Sequence, residues 1–170
     1  MANADEFDRF YRDTAHRLLR YGYGLTGSVS DGQDIVQEAY ARAWLRWGRL
    51  RQYADAEAWL RLVVTRLATD RWRGLSRHRT RLAAQPPARP ADPPSEDVVV
   101  VVAAMRTLPV PQRRALALYY LLDRSVADIA VELGVQEGTV KSWLSRGRAR
   151  LAAELGDARD EATAGGSDGR

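Results

Sequence analysis

Residues 125–151 contain the stretch that decides the fold, SVADIAVELGVQEGTVKSWLSRGRARL. Ser125, followed three positions later by Asp128, is a capping pattern that predicts the start of a helix. Gly134 stands where a residue in the left-handed conformation would end that helix, and a second helix is predicted from about residue 137 to 151. A short helix, a glycine turn and a longer basic helix together form the helix-turn-helix pattern.

The second helix separates into two faces when its residues are placed at 100° intervals. One stripe is apolar and should face a core: Val140, Leu144, Gly147 and Leu151. The opposite face has small side chains at its centre, which allow deep entry into a major groove, and flanking cations that reach bases or phosphates. This pattern predicts DNA binding, and the alternative is a solvated basic face. The residues concerned are Ser142, Ser145 and Ala149 at the centre, and Lys141, Arg146, Arg148 and Arg150 beside them.

Composition limits the kinds of protein that the chain can be. Its 170 residues suffice for one domain or two small ones. It has no cysteine, and its two histidines, His16 and His78, lie far apart, so we expect neither disulfides nor a metal site. No stretch approaches 18 uninterrupted apolar residues, and the acidic residues 1–6 lack the features of a signal peptide. We therefore expect a cytoplasmic protein with no membrane segment.

Positive charge is concentrated in the middle of the chain. The formal net charge is +4, yet residues 61–81 contain seven arginines and one aspartate. Such a block contacts polyanions or is simply a solvated surface. The sequence contains no glycine-rich phosphate loop, catalytic triad or metal cluster. We therefore expect no catalytic residues, no cofactor and no enzymatic activity.

Apolar residues recur at helical spacing through the first eighty positions, which predicts an N-terminal group of helices. Ser30 is the predicted N-cap of the second helix. On one face of that helix Asp34, Glu38, Arg42 and Arg46 are four residues apart, the spacing of an ion-pair ladder on a solvated face. The predicted helices are 4–25, 31–47 and 56–77, with a loop at 48–55.

A proline-rich segment divides the chain, because five of its seven prolines lie between residues 86 and 94. The valine run 98–102 has strand propensity. We predict a helix there, because Asp97 is a suitable N-cap and the apolar run continues through Met105. A further helix is predicted at 112–122. The expected architecture is all-α, with two small helical domains at 1–80 and 98–155, a Pro-rich linker at 81–97 and a disordered tail at 156–170.

Three motifs in the C-terminal half resemble the DNA-binding domain of extracytoplasmic-function (ECF) sigma factors, the group IV sigma subunits of bacterial RNA polymerase. They are Leu108-Pro109-x-x-Gln112-Arg113, Ser125-x-x-Asp128-Ile129-Ala130-x-x-Leu133-Gly134 and Gly138-Thr139-Val140-Lys141-Ser142-x-Leu144-x-Arg146. The resemblance implies that the second helix binds the −35 promoter element. It assigns base reading to Lys141, Ser142, Ser145 and Arg146, and phosphate contacts to Thr139, Arg148 and Arg150. Gln136 and Trp143 depart from the family pattern, which commonly has Ser and often Arg at these positions.

The second predicted helix contains Asp31-Gly32-x-Asp34-x-Val36-Gln37-Glu38-Ala39. This segment resembles the one with which sigma factors dock on the clamp helices of the polymerase beta-prime subunit. The resemblance implies that Asp34, Gln37, Glu38 and Arg42 bind core RNA polymerase, and that the flap of the beta subunit is a second contact. From the residues alone, the same face reads as a salt-bridged solvated surface.

The third predicted helix contains Trp59-Leu60 and then Leu67-Ala68-x-Asp70-x-x-Arg73, which resembles the sigma helix that reads the −10 element. Arg66 stands where the family often has Asn. Together with the preceding loop, this helix is expected to capture an unstacked base. The alternative is that Leu50 and Tyr53 close the domain core and the arginines are solvated. The expected −10 contacts are Arg49, Leu50, Tyr53, Val63, Arg66, Thr69, Asp70 and Arg73.

The resemblance as a whole, which is to the actinobacterial SigE-like subfamily, implies a non-catalytic sigma factor that directs core polymerase to promoters and assists their melting. It also implies a protein that is monomeric when free, and members of the family usually have an anti-sigma partner. The alternative is a free-standing helix-turn-helix regulator whose N-terminal half senses a ligand or forms dimers. That alternative predicts self-association and palindromic half-sites.

Overall fold

The computed structural model describes residues 2–72 and 94–164, and within these residues the chain is helical and contains no strand. The all-α prediction is confirmed. Among the described residues, no helix is both long and apolar enough to cross a membrane. The helices are α1 (Ala2–Thr26), α2 (Val29–Leu45), α3 (Trp47–Leu50), α4 (Ala56–Trp72), α5 (Glu96–Met105), α6 (Val110–Leu116), a π-helical segment (Ala117–Leu121), α7 (Val126–Leu133) and α8 (Glu137–Ala164).

The N-cap of α2 lies two residues earlier than predicted. Gly27 ends α1 with a φ of 66°, a conformation that glycine adopts without a steric penalty. Ser28, not Ser30, is then the N-cap of α2, because its backbone is extended and its hydroxyl accepts a hydrogen bond from the Asp31 N–H at 3.2 Å. The predicted cap was wrong because both serines suit the role and the position of the glycine turn selects the earlier one.

Helices α1, α2 and α4 pack around a core rich in aromatic side chains, which includes Phe7 and Trp47 with ring centroids 5.1 Å apart. Buried hydroxyl pairs also join the helices. Tyr21 on α1 and Thr65 on α4 are 2.8 Å apart at their oxygens, and the Thr14 and Tyr40 oxygens are 2.6 Å apart. Burial raises the pKa of Tyr21 to about 12, since the charged phenolate is poorly solvated there.

The segment predicted as a loop at 48–55 begins with helix. The four residues of α3 form a helical turn directly after α2, and only the residues after Leu50 are turns. Asp55 caps the start of α4, since its carboxylate accepts a hydrogen bond from the Ala58 N–H at 2.7 Å. Helix α4 is confirmed as far as Trp72, and its predicted continuation to residue 77 lies outside the described residues.

The valine-rich segment is helix α5, as predicted, although its start differs. Ser95 is its N-cap and Asp97 lies in the first turn, so the helix begins at Glu96, inside the predicted linker. The helix predicted at 112–122 begins earlier, at Val110, with Pro111 in its first turn, where a proline breaks no hydrogen bond within the helix. Its last residues, Ala117–Leu121, are π-helical.

The helix-turn-helix is confirmed in its details. The Ser125 hydroxyl caps α7 by accepting from the Asp128 N–H at 3.1 Å, and Gly134 has a φ of 67° in the turn. Helix α8 begins at Glu137, as predicted, and extends to Ala164. The part of the predicted disordered tail at 156–164 is therefore helical, since the alanine-rich sequence after Leu151 has good helix propensity.

Candidate nucleic-acid and polymerase interfaces

Helix α8 is held against the rest of the C-terminal domain by the apolar stripe that the sequence indicates. Val140 and Leu144 are buried, and Leu151 packs partly against the same core. At Gly147 the helix approaches α6 so closely that an added Cβ would lie 2.7 Å from a methyl carbon of Leu116. The stripe fixes the rotation of α8 and turns its cationic face outward. Trp143 is half-buried and packs against the core, consistent with a packing role.

The outward face of α8 carries the side chains predicted to contact DNA. Most are exposed, whereas Thr139 and Ser142 are half-buried. The exposed residues are Lys141, Ser145, Arg146, Arg148 and Arg150. Sequence reasoning missed Tyr120, whose hydroxyl accepts a hydrogen bond from the Arg148 guanidinium at 3.3 Å. This contact depends on the fold of the π-helical segment, and no periodicity in the sequence indicates it.

The face of α2 that is predicted to bind polymerase is accessible to solvent. Its ion pairs, however, do not follow the predicted pattern of pairs four residues apart along the helix. Glu38 and Arg42 form the expected pair four residues apart. Asp34 instead pairs across to α4, where the Arg71 guanidinium lies 3.2 Å from its carboxylate and 2.7 Å from that of Asp31. Arg71 was missed because it is distant in sequence. Asp34, Gln37 and Arg42 are exposed and Glu38 is half-buried.

A concavity of about 580 Å³ lies where α2, α3 and α4 meet. Its apolar surface includes Leu45, which is 59% exposed, and the half-buried Trp59. Neither was among the predicted −10 contacts. The full lining is Leu45, Arg46, Gly48, Arg49, Leu50, Tyr53 and Trp59.

Two of the predicted −10 contacts belong to the core. Leu50 is only 2% exposed, so it forms a small part of the floor of the concavity, and Val63 is 7% exposed. The expectation that Leu50 offers an apolar wall to a base is not met in this structure, because core packing covers its side chain. Tyr53 is 54% exposed and remains available. For Leu50, the alternative that it closes the domain core is the better description.

The other predicted −10 residues lie on the surface of α3 and α4, except one. Arg49, Arg66 and Asp70 are exposed, and Thr69 is half-buried with its hydroxyl donating to the Thr65 carbonyl at 2.9 Å. Arg73 lies outside the described residues. The described part of the chain contains no cluster of His, Asp or Glu side chains that could hold a metal ion.

Two helical domains, the second of which presents a helix-turn-helix with an outward cationic helix, define a DNA-binding protein. Comparison with known families narrows this class. Residues 10–78 match the family described as Sigma-70 region 2, and residues 99–151 match Sigma-70, region 4. The chain belongs to the RNA polymerase sigma factors.

Individual relatives agree with this assignment. The chain is 34% identical over 152 residues to the RNA polymerase sigma-E factor of Streptomyces antibioticus, a match that covers 88% of this chain and 84% of that protein. It is 35% identical over 151 residues to the ECF RNA polymerase sigma factor SigM of Mycobacterium tuberculosis, with 88% and 77% covered.

Among solved structures, the chain is similar to the sigma factor RpoE of Bartonella quintana, crystallised with the anti-sigma factor NepR. The TM-score is 0.62 at 25% sequence identity, and the match covers 86% of this chain and 96% of that one.

Proposed function

We propose that this sigma factor divides promoter recognition and polymerase binding among three surfaces. The outward face of α8 reads the −35 element, the corner formed by α3 and α4 captures the −10 element, and the polar face of α2 docks on the clamp helices of core polymerase. The observation that carries the proposal is that α8 buries its apolar stripe while it exposes five cationic or small polar side chains. We assign the first role to domain 98–155 and the other two to domain 1–80.

On α8, the sizes and charges of the side chains support the assignment of base contacts and phosphate contacts to different residues. Ser142 and Ser145 are small enough to let the helix enter the groove, and Lys141 and Arg146 flank them within reach of base edges. Thr139, Arg148 and Arg150 lie further to the sides and neutralise phosphates. Tyr120 joins this second group, since it already orients Arg148 through their hydrogen bond.

At the corner of α3 and α4, we propose that the concavity accepts an unstacked −10 base. Tyr53 offers an exposed aromatic plane, on which stacking contributes about 1–3 kcal/mol per base. Flipping a base costs a few kcal/mol, so polar contacts must supply the remainder. Asp70 can accept from an exocyclic amine, and Arg49 and Arg66 can neutralise the neighbouring phosphates.

Permanganate footprinting of a supercoiled promoter tests this corner. Tyr53→Ala should leave the closed complex bound but make the −10 thymines at least severalfold less reactive. Leu62→Ala is a matched control, because Leu62 is also an exposed apolar side chain of the same domain but does not line the concavity. Full thymine reactivity in Tyr53→Ala would contradict the proposed base pocket.

For polymerase docking, the strongest candidates are two carboxylates of α2, those of the exposed Asp34 and the half-buried Glu38. Reversing the charge at Asp34 and Glu38 together, each to Lys, should weaken co-purification with core polymerase. Reversal at Asp8 and Asp13, two exposed carboxylates on α1, is the matched control. Circular dichroism checks that both variants keep their helices. If both variants co-purify with core polymerase equally well, the α2 face does not bind the polymerase.

The function itself is tested by run-off transcription with purified core polymerase on random-promoter DNA, followed by sequencing of the transcribed templates. We expect two enriched elements at a fixed spacing. The alternative, a free-standing regulator, is not favoured, because both sigma regions match within one chain. Palindromic enrichment and dimers in solution would restore it.

We further propose that the protein works in the cytoplasm as a monomer without catalytic activity of its own, since the described surfaces are suited to binding. An anti-sigma partner is part of the proposal, because the similar Bartonella sigma factor was crystallised with one. Co-purification of a small inhibitory protein that blocks run-off transcription would establish that partner.

A further inference from the structure

The guanidinium of Arg71 on α4 holds two carboxylates of α2 at once. Its Nη2 atom lies 2.7 Å from a carboxylate oxygen of Asp31 and 3.2 Å from one of Asp34. The two aspartates are three residues apart, so they share one face of α2, where like charges repel each other. Arg71 therefore relieves this repulsion and neutralises part of the acidic surface of α2 from a different helix.

The two carboxylates assigned to polymerase docking thus both have an arginine partner within this chain. Asp34 pairs with Arg71, and Glu38 pairs with Arg42, four residues further along α2. The side chain of Asp34 is nevertheless 47% exposed, so a second protein can reach it. A cationic group of core polymerase that binds Asp34 must displace Arg71 or share the carboxylate with it.

The bond from Arg71 to Asp34 is easier to break than its bond to Asp31. Charge-assisted hydrogen bonds are strongest at about 2.7–2.9 Å, and of these two contacts only the one to Asp31 lies in that range. Arg71 and Asp31 also line the same cavity, which has a volume of about 210 Å³. The guanidinium therefore has space to move away from Asp34 while it stays bonded to Asp31, so its charge remains neutralised after the move.

We propose that Arg71 competes with core polymerase for Asp34, and that docking transfers this carboxylate from Arg71 to a cationic group of the polymerase. The inference rests on the proposed docking role of α2. One ion pair breaks as another forms, so docking gains less electrostatic attraction than the acidic residues of α2 would otherwise give, and its affinity falls less steeply with salt. Because Arg71 directly follows Asp70, the helix assigned to −10 recognition also limits how tightly the protein binds polymerase.

Substitution of Arg71 tests the competition. Arg71→Gln keeps a polar side chain but removes the charge. Its dissociation constant for core polymerase, measured without DNA at low salt, should fall by about twofold to fivefold, the range expected for one exposed ion pair. The affinity should also decline more steeply with rising salt than that of the wild type. Arg71→Lys, which keeps the charge, should bind like the wild type.

Arg17→Gln is the matched control. Arg17 on α1 pairs with Glu57 on α4 at 2.8 Å, so this variant also breaks an ion pair between two helices of the same domain, but it frees no residue assigned to polymerase docking. Its affinity for core polymerase and the salt dependence should stay unchanged, and circular dichroism should show the same helix content in all variants. Equal tightening in Arg17→Gln and Arg71→Gln would mean that net charge alone sets the affinity, and it would overturn the competition.

A double-mutant cycle with Asp34→Ala separates competition from general repulsion. Without the carboxylate of Asp34, Arg71 has no docking residue to release, so the gain in affinity from Arg71→Gln should disappear in this background. An equal gain with and without Asp34 would show that Arg71 simply repels a basic partner, and the competition would be overturned.

The same cycle distinguishes failure of the competition from failure of docking. If Asp34→Ala weakens binding to core polymerase but Arg71→Gln does not tighten it, the docking role of α2 stands and the competition is overturned. If Asp34→Ala leaves the affinity unchanged both with Arg71 and with Arg71→Gln, Asp34 does not bind polymerase, and the competition fails together with that part of the proposed function.

Discussion

The proposed −35 surface on α8 and the proposed −10 surface on α3 and α4 differ in how far helical periodicity describes them. Helix α8 buries one stripe, and the residues placed opposite that stripe are exposed or half-buried. Helix α4 packs against both α1 and α2, and its Arg61 is buried as well. Val63 on α4 is consequently in the core, and Leu50 on the short helix α3 is buried as well. Periodicity predicts which face of a helix stays exposed when the helix is covered on one side only.

The largest expected effect concerns Leu50. Leu50→Ala should lower the free energy of unfolding by about 2–5 kcal/mol, since it removes a core side chain and leaves a cavity. Tyr53→Ala, three residues later and exposed, should change it by less than about 0.5 kcal/mol. Urea unfolding monitored by circular dichroism measures both. Similar stability losses in the two variants would remove the distinction between core and surface at this corner.

The next effect concerns the −35 surface. Arg146→Ala should cost about 1–3 kcal/mol in binding at one base position, because a bidentate contact to a base edge is lost. Arg148→Ala should weaken binding to all sequences alike and reduce the slope of affinity against salt by about one, as expected for one phosphate contact. Binding to a panel of −35 variants at several salt concentrations measures both. A uniform loss for Arg146→Ala would reassign it to the phosphate group.

The smallest expected effect concerns the hydrogen bond between Tyr21 on α1 and Thr65 on α4. Tyr21→Phe should lower stability at neutral pH by about 1 kcal/mol, since the hydrogen bond with Thr65 is lost. The pKa of Tyr21 is raised to about 12 in the folded protein, chiefly by burial, while its usual value is 10. The unfolded state therefore loses the proton first, so this contribution to stability is complete below pH 10 and is lost as pH rises from 10 to 12.

Tyr21→Phe should accordingly show a shallower loss of stability between pH 10 and 12 than the wild type. The exposed Tyr53, changed to Phe, is the control and should leave that slope unaltered. Denaturant unfolding at a series of alkaline pH values gives the comparison. An identical slope in Tyr21→Phe would show that its burial does not govern alkaline stability.

The sequence by itself determined the all-α class, the helix-turn-helix and the family. Ser125 and Gly134 act through local backbone geometry, and the apolar stripe of α8 is spaced within one helix, so neighbouring residues are sufficient to predict them. Ser28 and Ser30 show where even local rules are ambiguous, because two caps were available and the glycine turn chose between them.

Tertiary structure alone decided which helix faces are buried by packing and which charged side chains form pairs. Asp34 on α2 pairs with Arg71 on α4, 37 residues away. Arg113 reaches the carbonyl of Leu25 across 88 residues. Helical periodicity describes one element at a time. The burial of Leu50 and the contacts between the two domains instead depend on partners from distant parts of the chain.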